Sequence, residues 1–279
     1  MAVFVSASDE HSGPDGRGLF VFAGYVGPEQ DWWRFFLPAW QERVLDGPPT
    51  IPYLHMTEIR SRAFREKWGL SRSAADQRID EAVAVIDTMG SFYPIGIEVD
   101  AGHIKDTFID SKVLRQHTKQ FEAKQFEAKP FEPDFLCFLT YAYVVLNYVH
   151  NVHPHVEKVN FIVERKGHVT RYIDEFHSGL GEALIFIGRT DLTPLVGELS
   201  TGDKERIPCQ VADMLCWHAA RFENAQEVKT EDIADARRYL KLRNRKGKLF
   251  SLSNSQVSEM AGAIFPKALS RLPGPGKSG

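Results

Sequence analysis

The chain has 279 residues, a hydrophobic content of 43% and a formal net charge of −3. A chain of this length can bury one large core, or one core with a lobe, and its charge argues against a nonspecific nucleic-acid coat, which would be basic overall. No apolar run reaches transmembrane length, and the first residues lack the basic start and long apolar core of a signal peptide. We therefore expect a cytoplasmic protein that does not enter a membrane.

Strand-like and helix-like segments alternate along the chain, which predicts an α/β fold. The predicted strands cover residues 3–8, 19–25, 91–99, 159–163 and 183–187. The predicted helices cover residues 29–44, 74–88, 135–150, 170–179 and 209–223. The first three strands should form an antiparallel meander, and the later strands should be reached through helical crossovers. An ordinary doubly wound sheet is the alternative to this arrangement.

The first predicted strand ends in two acidic residues, Asp9 and Glu10, just before a turn marked by Ser12, Gly13 and Pro14. Open α/β sheets place ligands at the ends of such strands. Because side chains alternate along a strand, the two acids should point to opposite faces, so at most one is a direct metal ligand. We predict Asp9 as that ligand, with Glu10 as the second choice.

A further candidate is Asp213, which lies close to the apolar stripe of the predicted helix 209–223. A buried carboxylate is costly without a partner, so a metal ion, an arginine or a hydrogen-bond network should accompany it. Hydrogen bonding to backbone amides near the helix N-terminus is the structural alternative. If the partner is a hard divalent cation, we expect Asp213 to belong to a phosphodiesterase site. Phosphoryl transfer requires positioning of the phosphate and stabilisation of its charge, and cations held by carboxylates provide both.

Glu164 ends the predicted strand 159–163 and is followed by Arg165 and Lys166. In a sheet it would lie near the end of a strand adjacent to the first, which is the position of a third carboxylate. A strand-end glutamate that faces solvent is the alternative. The two basic residues beside it are candidates for contact with nucleic-acid phosphates.

The order and spacing of these short motifs resemble the DUF3800 family, whose members are similar to RNase H-like nucleases. The resemblance runs from about Val3 to Arg221 and is carried by Asp9-Glu10-His11-Ser12-Gly13, Leu54-His55-Met56-Thr57-Glu58, Ser200, Lys204 and Gln210-Val211-Ala212-Asp213. The family usually has a simple acid-Ser-Gly turn, so His11 is an insertion here, and similar proteins often carry an aspartate at the position of Glu164. The resemblance implies an RNase H-like mixed sheet flanked by helices.

This resemblance also suggests a domain organisation. Residues 1–225 would form the RNase H-like domain, with a helical insertion around residues 105–152. Residues 226–279 would form a basic C-terminal extension with a disordered tail. Inside the insertion, FEAKQ at 121–125 is followed by FEAKP at 126–130 and FEP at 131–133, which we interpret as a local duplication in a connector.

Two other residues are candidates for assisting catalysis. As a neutral imidazole, His55 could bind a metal ion or relay a proton to a leaving group. Lys204 could stabilise charge on a scissile phosphate, because its ammonium is a compact point charge. The alternatives are a half-buried, hydrogen-bonded histidine and a solvated loop lysine.

Basic residues cluster in two places, one after His55 and one after the predicted catalytic helix. Either cluster could neutralise backbone phosphates or form a solvated helix face. The clusters are Arg60, Arg62, Arg65 and Lys67, and Arg237, Arg238, Lys241, Arg243, Arg245, Lys246 and Lys248. Within the second cluster we expect Arg243, Arg245 and Lys246 to bind nucleic acid.

The predicted mechanism has one or two Mg²⁺ or Mn²⁺ ions held by Asp9, Glu164 and Asp213, which activate water for attack on a phosphodiester of nucleic acid. Lys204 or His55 would assist. One alternative is a non-catalytic RNase H-like module that binds nucleic acid or a partner protein within a mobile-element or defence system. Another is a metal-dependent phosphatase that acts on a small phosphate ester.

Aromatic residues and cysteines complete the sequence-based expectations. Trp32, Trp33, Phe35 and Phe36 would suit a homodimer interface, although Trp33 and Phe36 equally suit a core-facing helix stripe. The cysteines are odd in number and lack zinc-site spacing, so we expect reduced core thiols. They are Cys137, Cys209 and Cys216.

Overall fold

The computed structural model describes residues 2–12, 19–100, 133–165, 180–181, 184–185, 187–222, 225, 227–243 and 248–251. The strands within these ranges are β1 (Ala2–Ser12), β2 (Leu19–Pro28), β3 (Tyr93–Asp100), β4 (Val156–Glu164), β5 (Val196–Gly202) and β6 (Lys248–Ser251). The first helix, α1, spans residues 29–45 and alternates α-helix (Glu29–Asp31, Leu37–Trp40) with π-helix (Trp32–Phe36, Gln41–Leu45). The other helices are α2 (Met56–Arg60), α3 (Arg62–Trp68), α4 (Arg72–Thr88), α5 (Pro133–Val152), α6 (Ile207–Phe222) and α7 (Ile233–Arg243).

The strands form one mixed sheet in the order β5-β4-β1-β2-β3-β6. β1, β2 and β3 are antiparallel neighbours, which confirms the predicted meander. β4 lies parallel to β1, β5 lies parallel to β4, and β6 lies parallel to β3. The predicted α/β fold with a mixed sheet flanked by helices is therefore confirmed.

Side-chain alternation divides the core into two layers, one on each face of the sheet. On one face, Val5 and Ala7 of β1 lie in the same buried cluster as residues of α1, α4 and α6. On the other face, Phe4 of β1 lies in a cluster with residues of α5. Each helix layer covers the apolar side chains that one face of the sheet presents, as expected for an open α/β sheet.

Helix α6 is buried on all sides, which decides the environment of the predicted catalytic helix. It contacts β1, β2 and β4 as well as α2 and α7. Its residues from Pro208 to Ala219 are all buried. Because this helix is buried on every side, Asp213 lies inside the protein and not at the boundary of an apolar stripe.

The aromatic residues of α1 point in two directions. Trp32, Phe36 and Trp40 are fully buried and lie four residues apart, on one face of the helix. Trp33 is 39% exposed and Phe35 is 60% exposed. The core-facing stripe therefore contains Phe36 as expected but not Trp33, whose assignment to a core stripe was wrong.

One predicted strand was wrong. Residues 184 and 185 are helical, so residues 183–187 do not form the fifth strand. The fifth strand is Val196–Gly202, an edge segment in which only Gly197 and Gly202 are buried. The apolar run at 183–187 resembled a strand more closely than this mixed segment does. Its Leu184 is buried in the core, but it lies in a helical turn. The predicted helix 170–179 lies outside the described residues.

The parts of the chain assigned to an insertion and to an extension contribute to this fold where the structure describes them. α5, the end of the segment 105–152, packs on β2, β3 and β4. α7 packs on α4 and α6, and β6 pairs with β3. The FEAK repeat up to residue 132 and the tail beyond residue 251 lie outside the described residues. No helix in the described ranges is both long enough and apolar enough to span a membrane.

Candidate carboxylate site

Asp9 and Glu164 lie side by side where the parallel pairing of β1 and β4 ends; β4 ends at Glu164, and β1 continues to Ser12. The parallel register of β1 and β4 pairs Ser8 with Val163, and the next residue on each strand is one of the two acids. Asp9 is 1% exposed and Glu164 is 7% exposed. Parallel strands bring their carboxyl ends to the same edge of a sheet, so the sequence positions of these two acids produce a buried pair of carboxylates.

Both carboxylates point to the same face of the sheet. Two residues before each acid, Ala7 and Ile162 belong to the core cluster that lies against α6. Because side chains repeat their direction every second residue, Asp9 and Glu164 also face α6. The expected solvent-facing alternative for Glu164 is therefore wrong.

Glu10 faces the opposite side of the sheet, as the alternation of β1 predicts. Its even-numbered neighbour Ser6 shows this direction, because the Ser6 hydroxyl lies 2.9 Å from the hydroxyl of Tyr141 on α5. The backbone N–H of Glu10 donates a 2.7 Å hydrogen bond to Oδ1 of Asp9. Glu10 therefore supports the Asp9 carboxylate through its backbone, while its side chain points away from Glu164.

The first turn of α6 lies over the two carboxylates. Burial, and then the negative charges of Glu164 and Asp9, raise the pKa of the Cys209 thiol to about 12. Gly202 of β5 pairs with Glu164 and makes this approach possible. A Cβ atom on Gly202 would lie 2.5 Å from Cδ of Arg206 and 2.9 Å from Sγ of Cys209, so a side chain there would push the start of α6 away.

Asp213 lies one helical turn after Cys209 and is 3% exposed. Its Oδ2 accepts a 2.6 Å hydrogen bond from the backbone N–H of Met56, and its Oδ1 lies 3.6 Å from Nε2 of His55. Met56 is the first residue of α2, so Asp213 satisfies an amide at the start of that helix. The alternative in which Asp213 hydrogen-bonds a backbone amide at a helix N-terminus is therefore confirmed. The amide belongs to α2, however, and not to α6, the helix that carries Asp213.

A cysteine one turn further along α6 connects the helix to β1. The Cys216 thiol lies 2.8 Å from the backbone oxygen of Asp9, to which it donates. Cys209, Asp213 and Cys216 therefore follow the face of α6 that lies over the carboxyl end of β1. All three cysteines of the chain are buried and free, as predicted.

Gln210 joins three segments of the chain around the site. Its Oε1 accepts hydrogen bonds from Nε1 of Trp40, at 2.9 Å, and from the backbone N–H of Leu54, at 3.1 Å. Its Nε2 donates to the backbone oxygen of Glu205, at 3.1 Å. The side chain is 1% exposed, so these bonds form in a dry environment where unpaired partners would be costly. Gln210 thereby fixes the segments that carry His55 and Lys204 relative to α6.

Lys204 belongs to a three-residue cluster at the rim, which we call the Tyr53–Glu58–Lys204 cluster. Nζ of Lys204 donates a 2.6 Å hydrogen bond to Oε1 of Glu58 and lies 4.5 Å from the centroid of the Tyr53 ring. The Tyr53 hydroxyl donates a 2.5 Å hydrogen bond to Oε2 of Glu58. Burial raises the pKa of Glu58, but the hydrogen bonds from Lys204 and Tyr53 lower it by more, so its pKa lies below the ordinary value.

Further cations lie near the carboxyl ends of β4 and β5. Arg165 directly follows Glu164 and is exposed. Arg206 lies in the turn before α6, and its guanidinium donates to the Ser200 hydroxyl and to the backbone oxygen of Thr201, both at 3.2 Å. These two arginines and Lys204 place positive charge around the buried acids, a distribution that favours an anionic ligand.

The C-terminal basic cluster divides into different roles. Arg238 is buried, and its guanidinium bonds Asp80 at 2.7 Å and Asp235 at 2.6 Å. It therefore holds α7 against α4, and its inclusion in a phosphate-binding surface was wrong. Arg60 from the first cluster is also paired with Asp235 and with Asp76. Arg243 is exposed at the end of α7, while Lys166, Arg245 and Lys246 lie outside the described residues.

Glu98 is another buried acid on the face of the sheet that α6 covers. It pairs with Val21, whose side chain lies in that core layer, and Val21 in turn pairs with His11. Glu98 is 5% exposed. It lies two strands away from β1, whereas Glu164 lies on the strand adjacent to Asp9, so Glu164 is the better partner for Asp9.

The chemistry of the donors fits a hard divalent cation, since carboxylate oxygens are its preferred protein ligands. Asp9 and Glu164 supply two such donors on one face, and Asp213 approaches from the covering helix. In the described part of the chain, however, no three His, Cys, Asp or Glu side chains are arranged so that they could hold a metal ion. The pair Asp9 and Glu164 therefore forms the better-defined part of the candidate site.

The sequence patterns assigned no role at the site to five residues that lie there: Tyr53, Glu58, Arg206, Cys209 and Gln210. Gln210 and Glu58 could have been found, because both lie inside the short motifs that carry the family resemblance. Tyr53 and Arg206 acquire their positions through contacts between distant segments, and single-sequence patterns do not report such contacts.

Comparisons of the chain with protein-family models, with curated proteins and with solved structures find no match. The functional interpretation therefore depends on the geometry of the carboxylates and of the residues that surround them.

Proposed function

We propose that the protein is a metal-dependent phosphodiesterase that cleaves nucleic acid. The observation that carries the proposal is the pair of buried carboxylates, Asp9 and Glu164, side by side where the parallel pairing of β1 and β4 ends and covered by the helix that presents Asp213. Burying carboxylates of equal charge next to each other is unfavourable unless a cation or a proton compensates them. A divalent cation bound between them would reduce their mutual repulsion at neutral pH.

The order of the strands supports an RNase H-like interpretation within the DUF3800 family. An antiparallel meander of three strands is followed by β4 and β5, which join the sheet beside β1 in parallel orientation. The candidate acids lie near the carboxyl end of the central strand β1, at the end of its parallel neighbour β4 and on the covering helix. The motifs of the sequence that resemble DUF3800 are the same segments that meet at this edge.

Each residue of the site has a role in this proposal. Asp9 and Glu164 would hold Mg²⁺ or Mn²⁺, and Asp213 would become a third ligand only after a rearrangement of the site, because the described residues contain no three-residue metal-ligand group. The bound cation would neutralise phosphate charge and lower the pKa of a coordinated water. His55, whose Nε2 lies 3.6 Å from Asp213, would hold a proton for the leaving oxygen, and Lys204 would contribute positive charge at the rim.

The test is a cleavage assay with single-stranded DNA, double-stranded DNA, RNA and small phosphate esters in Mg²⁺, Mn²⁺ or EDTA. We expect wild-type protein to cut at least one polymer in divalent metal, and Asp9→Asn and Glu164→Gln to lower the rate about a hundredfold or more. Glu198→Gln is the control, because Glu198 is an exposed acid on β5. Turnover of small esters without cleavage of polymers would indicate a phosphatase.

A non-catalytic binding module is the second candidate. It is favoured by the use of Asp213 as a hydrogen-bond acceptor for Met56 and by the lack of a three-residue metal-ligand group among the described residues. In that case the acids would serve structure, and nucleic-acid affinity would be equal with and without divalent metal. Cleavage that requires both metal and Asp9 would exclude this candidate.

A further inference from the structure

The Tyr53–Glu58–Lys204 cluster has the properties of a fixed contact point for an anion. An ammonium group has three hydrogen-bond donors, and the bond to Glu58 uses one of them. The Lys204 side chain is 37% exposed, so its head reaches solvent while its partner restrains it. Glu58, and then Tyr53, raise the pKa of Lys204, which keeps the ammonium charged at neutral pH.

Restraint matters here because a free lysine loses much side-chain entropy when it binds a ligand. Lys204 is held by a hydrogen bond on one side and by the face of the Tyr53 ring on the other. Glu58 is itself held by the Tyr53 hydroxyl. Much of the cost of ordering the ammonium is therefore met before any ligand arrives.

The backbone that carries the cluster is also fixed relative to the carboxylates. Gln210 bonds the backbone of Leu54, next to Tyr53, and the backbone of Glu205, next to Lys204. Asp213 bonds the backbone of Met56, which lies between Tyr53 and Glu58 in the sequence. Because Gln210 and Asp213 lie one turn apart on α6, the same helix sets the position of the cluster and covers the carboxylates.

The cluster lies beside the carboxylates and not among them. Gly202, which pairs with Glu164, precedes Lys204 by two residues. On the other side, His55 contributes to the low pKa of Glu58 and lies 3.6 Å from Asp213. His55 thus lies near both Glu58 and the carboxylate of Asp213, so the cluster borders the carboxylate site on this side.

We infer that Lys204 binds a phosphate next to the one that the carboxylate site cleaves, and that Glu58 and Tyr53 position it for this contact. This inference rests on the proposed function and specifies its substrate class. The substrate is a strand with at least one additional backbone phosphate beside the scissile one. A nucleoside monophosphate or another small ester would not reach both places.

The test combines lysine substitution with removal of single phosphate charges. Short oligonucleotides that carry one neutral methylphosphonate, moved along the strand, are compared with the unmodified strand in binding to wild-type protein and to Lys204→Met. Binding is measured in EDTA so that cleavage does not interfere. Lys67→Met is a matched control, because Lys67 is also a lysine over an aromatic ring, with Nζ 5.1 Å from the centroid of Trp68.

In wild-type protein and in Lys67→Met, we expect the methylphosphonate to weaken binding about tenfold at one position of the strand. In Lys204→Met, a methylphosphonate at this position should not weaken binding further, because the substitution has already removed the contact. Glu58→Gln and Tyr53→Phe should reduce the difference between the positions while the lysine stays charged. A merely structural role would lower affinity for every strand by the same factor.

Three results would overturn the inference. The first is the same positional profile in Lys204→Met and in wild-type protein, and the second is the absence of any binding to an oligonucleotide. The third is a Lys204-dependent position that coincides with the bond cut in Mn²⁺. If the Lys204-dependent position exists but wild-type protein cuts no strand, the phosphate contact stands and the proposed nuclease activity fails, so the two claims are tested separately.

Discussion

The carboxylate of Asp213 accepts a 2.6 Å hydrogen bond from the backbone N–H of Met56, the first residue of α2. This bond gives a candidate metal ligand a second task, because it joins α6 to the short helix that carries Glu58. The two tasks use different properties of the side chain. The hydrogen bond requires an acceptor oxygen, whereas a metal ion requires negative charge.

Substitutions at Asp213 should separate these tasks. Asp213→Ala removes the acceptor and leaves the Met56 amide unpaired, so we expect the free energy of unfolding to fall by about 1–3 kcal/mol. Asp213→Asn keeps an oxygen for the amide and should cost less than about 1 kcal/mol, although it removes the charge. Urea denaturation followed by circular dichroism measures both values. Equal losses in the two variants would contradict the role of the hydrogen bond.

Gly24 should tolerate no side chain, because β1 and β2 approach closely there. A Cβ atom on Gly24 would lie 1.7 Å from the backbone oxygen of Ala7. Gly24→Ala would force the two strands apart, and we expect it to lower the free energy of unfolding by about 3 kcal/mol or more. Gly90→Ala is the control, because a Cβ atom there meets no other atom within 4 Å. The control should stay within about 0.5 kcal/mol of wild type.

Thermal melts of the two glycine variants provide the measurement. Similar melting temperatures for Gly24→Ala and Gly90→Ala would show that the strands can separate without cost. That outcome would contradict the close β1–β2 packing, in which Asp9 lies opposite Ala23.

Much of the fold could be predicted from the sequence because its strongest signals are local. β1 to β4 each contain an apolar run of strand length, and the first strand ends in acid, so the ends of β1 and β4 could be proposed as neighbours. β5 could not be found in this way, because it is an edge strand of the sheet and its sequence VGELSTG has few apolar residues. The apolar run at 183–187 gave a stronger but misleading signal.

The site was less predictable because its partners are distant in sequence. The Lys204–Glu58 bond joins residues 146 positions apart, and the bond between Asp213 and Met56 joins residues 157 positions apart. Composition also cannot distinguish a basic residue that binds a ligand from one that is buried in ion pairs. Arg238 illustrates this limit, since its neighbours in the sequence are basic while its contacts in the fold are acidic.

His218 should make stability depend on pH. It is fully buried, and its Nδ1–H donates a 2.7 Å hydrogen bond to the backbone oxygen of Met214. Burial lowers its pKa from 6.5 to about 4. The Met214 bond and then the charge of Asp235 oppose this shift, and the charges of Arg238 and Arg60 add to it by a smaller amount. The neutral form is therefore retained in the folded protein at pH values where the unfolded chain takes up a proton.

The sign of the effect follows from the lowered pKa. The contribution of His218 to the free energy of unfolding is complete above pH 6.5 and is lost progressively as the pH falls towards 4. It amounts to at most about 3 kcal/mol. His218→Asn, which keeps a donor for Met214, should flatten the stability profile over this range. His150→Asn, at a partly exposed histidine, should not. Urea titrations at several pH values test this, and an unchanged slope in His218→Asn would contradict it.

Arg238 should contribute to stability and not to nucleic-acid binding. Its guanidinium bonds Asp80, Asp235 and Asp76, and its side chain is 7% exposed. Arg238→Met would leave the acids without their cation, so we expect a loss of about 3 kcal/mol. Arg62→Met removes an arginine whose side chain is 85% exposed and should change stability by less than about 0.5 kcal/mol. Chemical denaturation measures the free energy of unfolding of both variants. A small loss of stability in Arg238→Met would contradict the structural role of Arg238.

The central claim is that Asp9 and Glu164 act together as ligands of one divalent cation. A calorimetric titration of Mn²⁺ into wild-type protein, Asp9→Asn, Glu164→Gln and the control Glu198→Gln tests it most directly, with folding checked by circular dichroism. We predict that wild-type protein and Glu198→Gln bind Mn²⁺ alike and that both site variants lose the binding heat while they stay folded. Equal Mn²⁺ binding in all four proteins, or no binding in any of them, would contradict the claim.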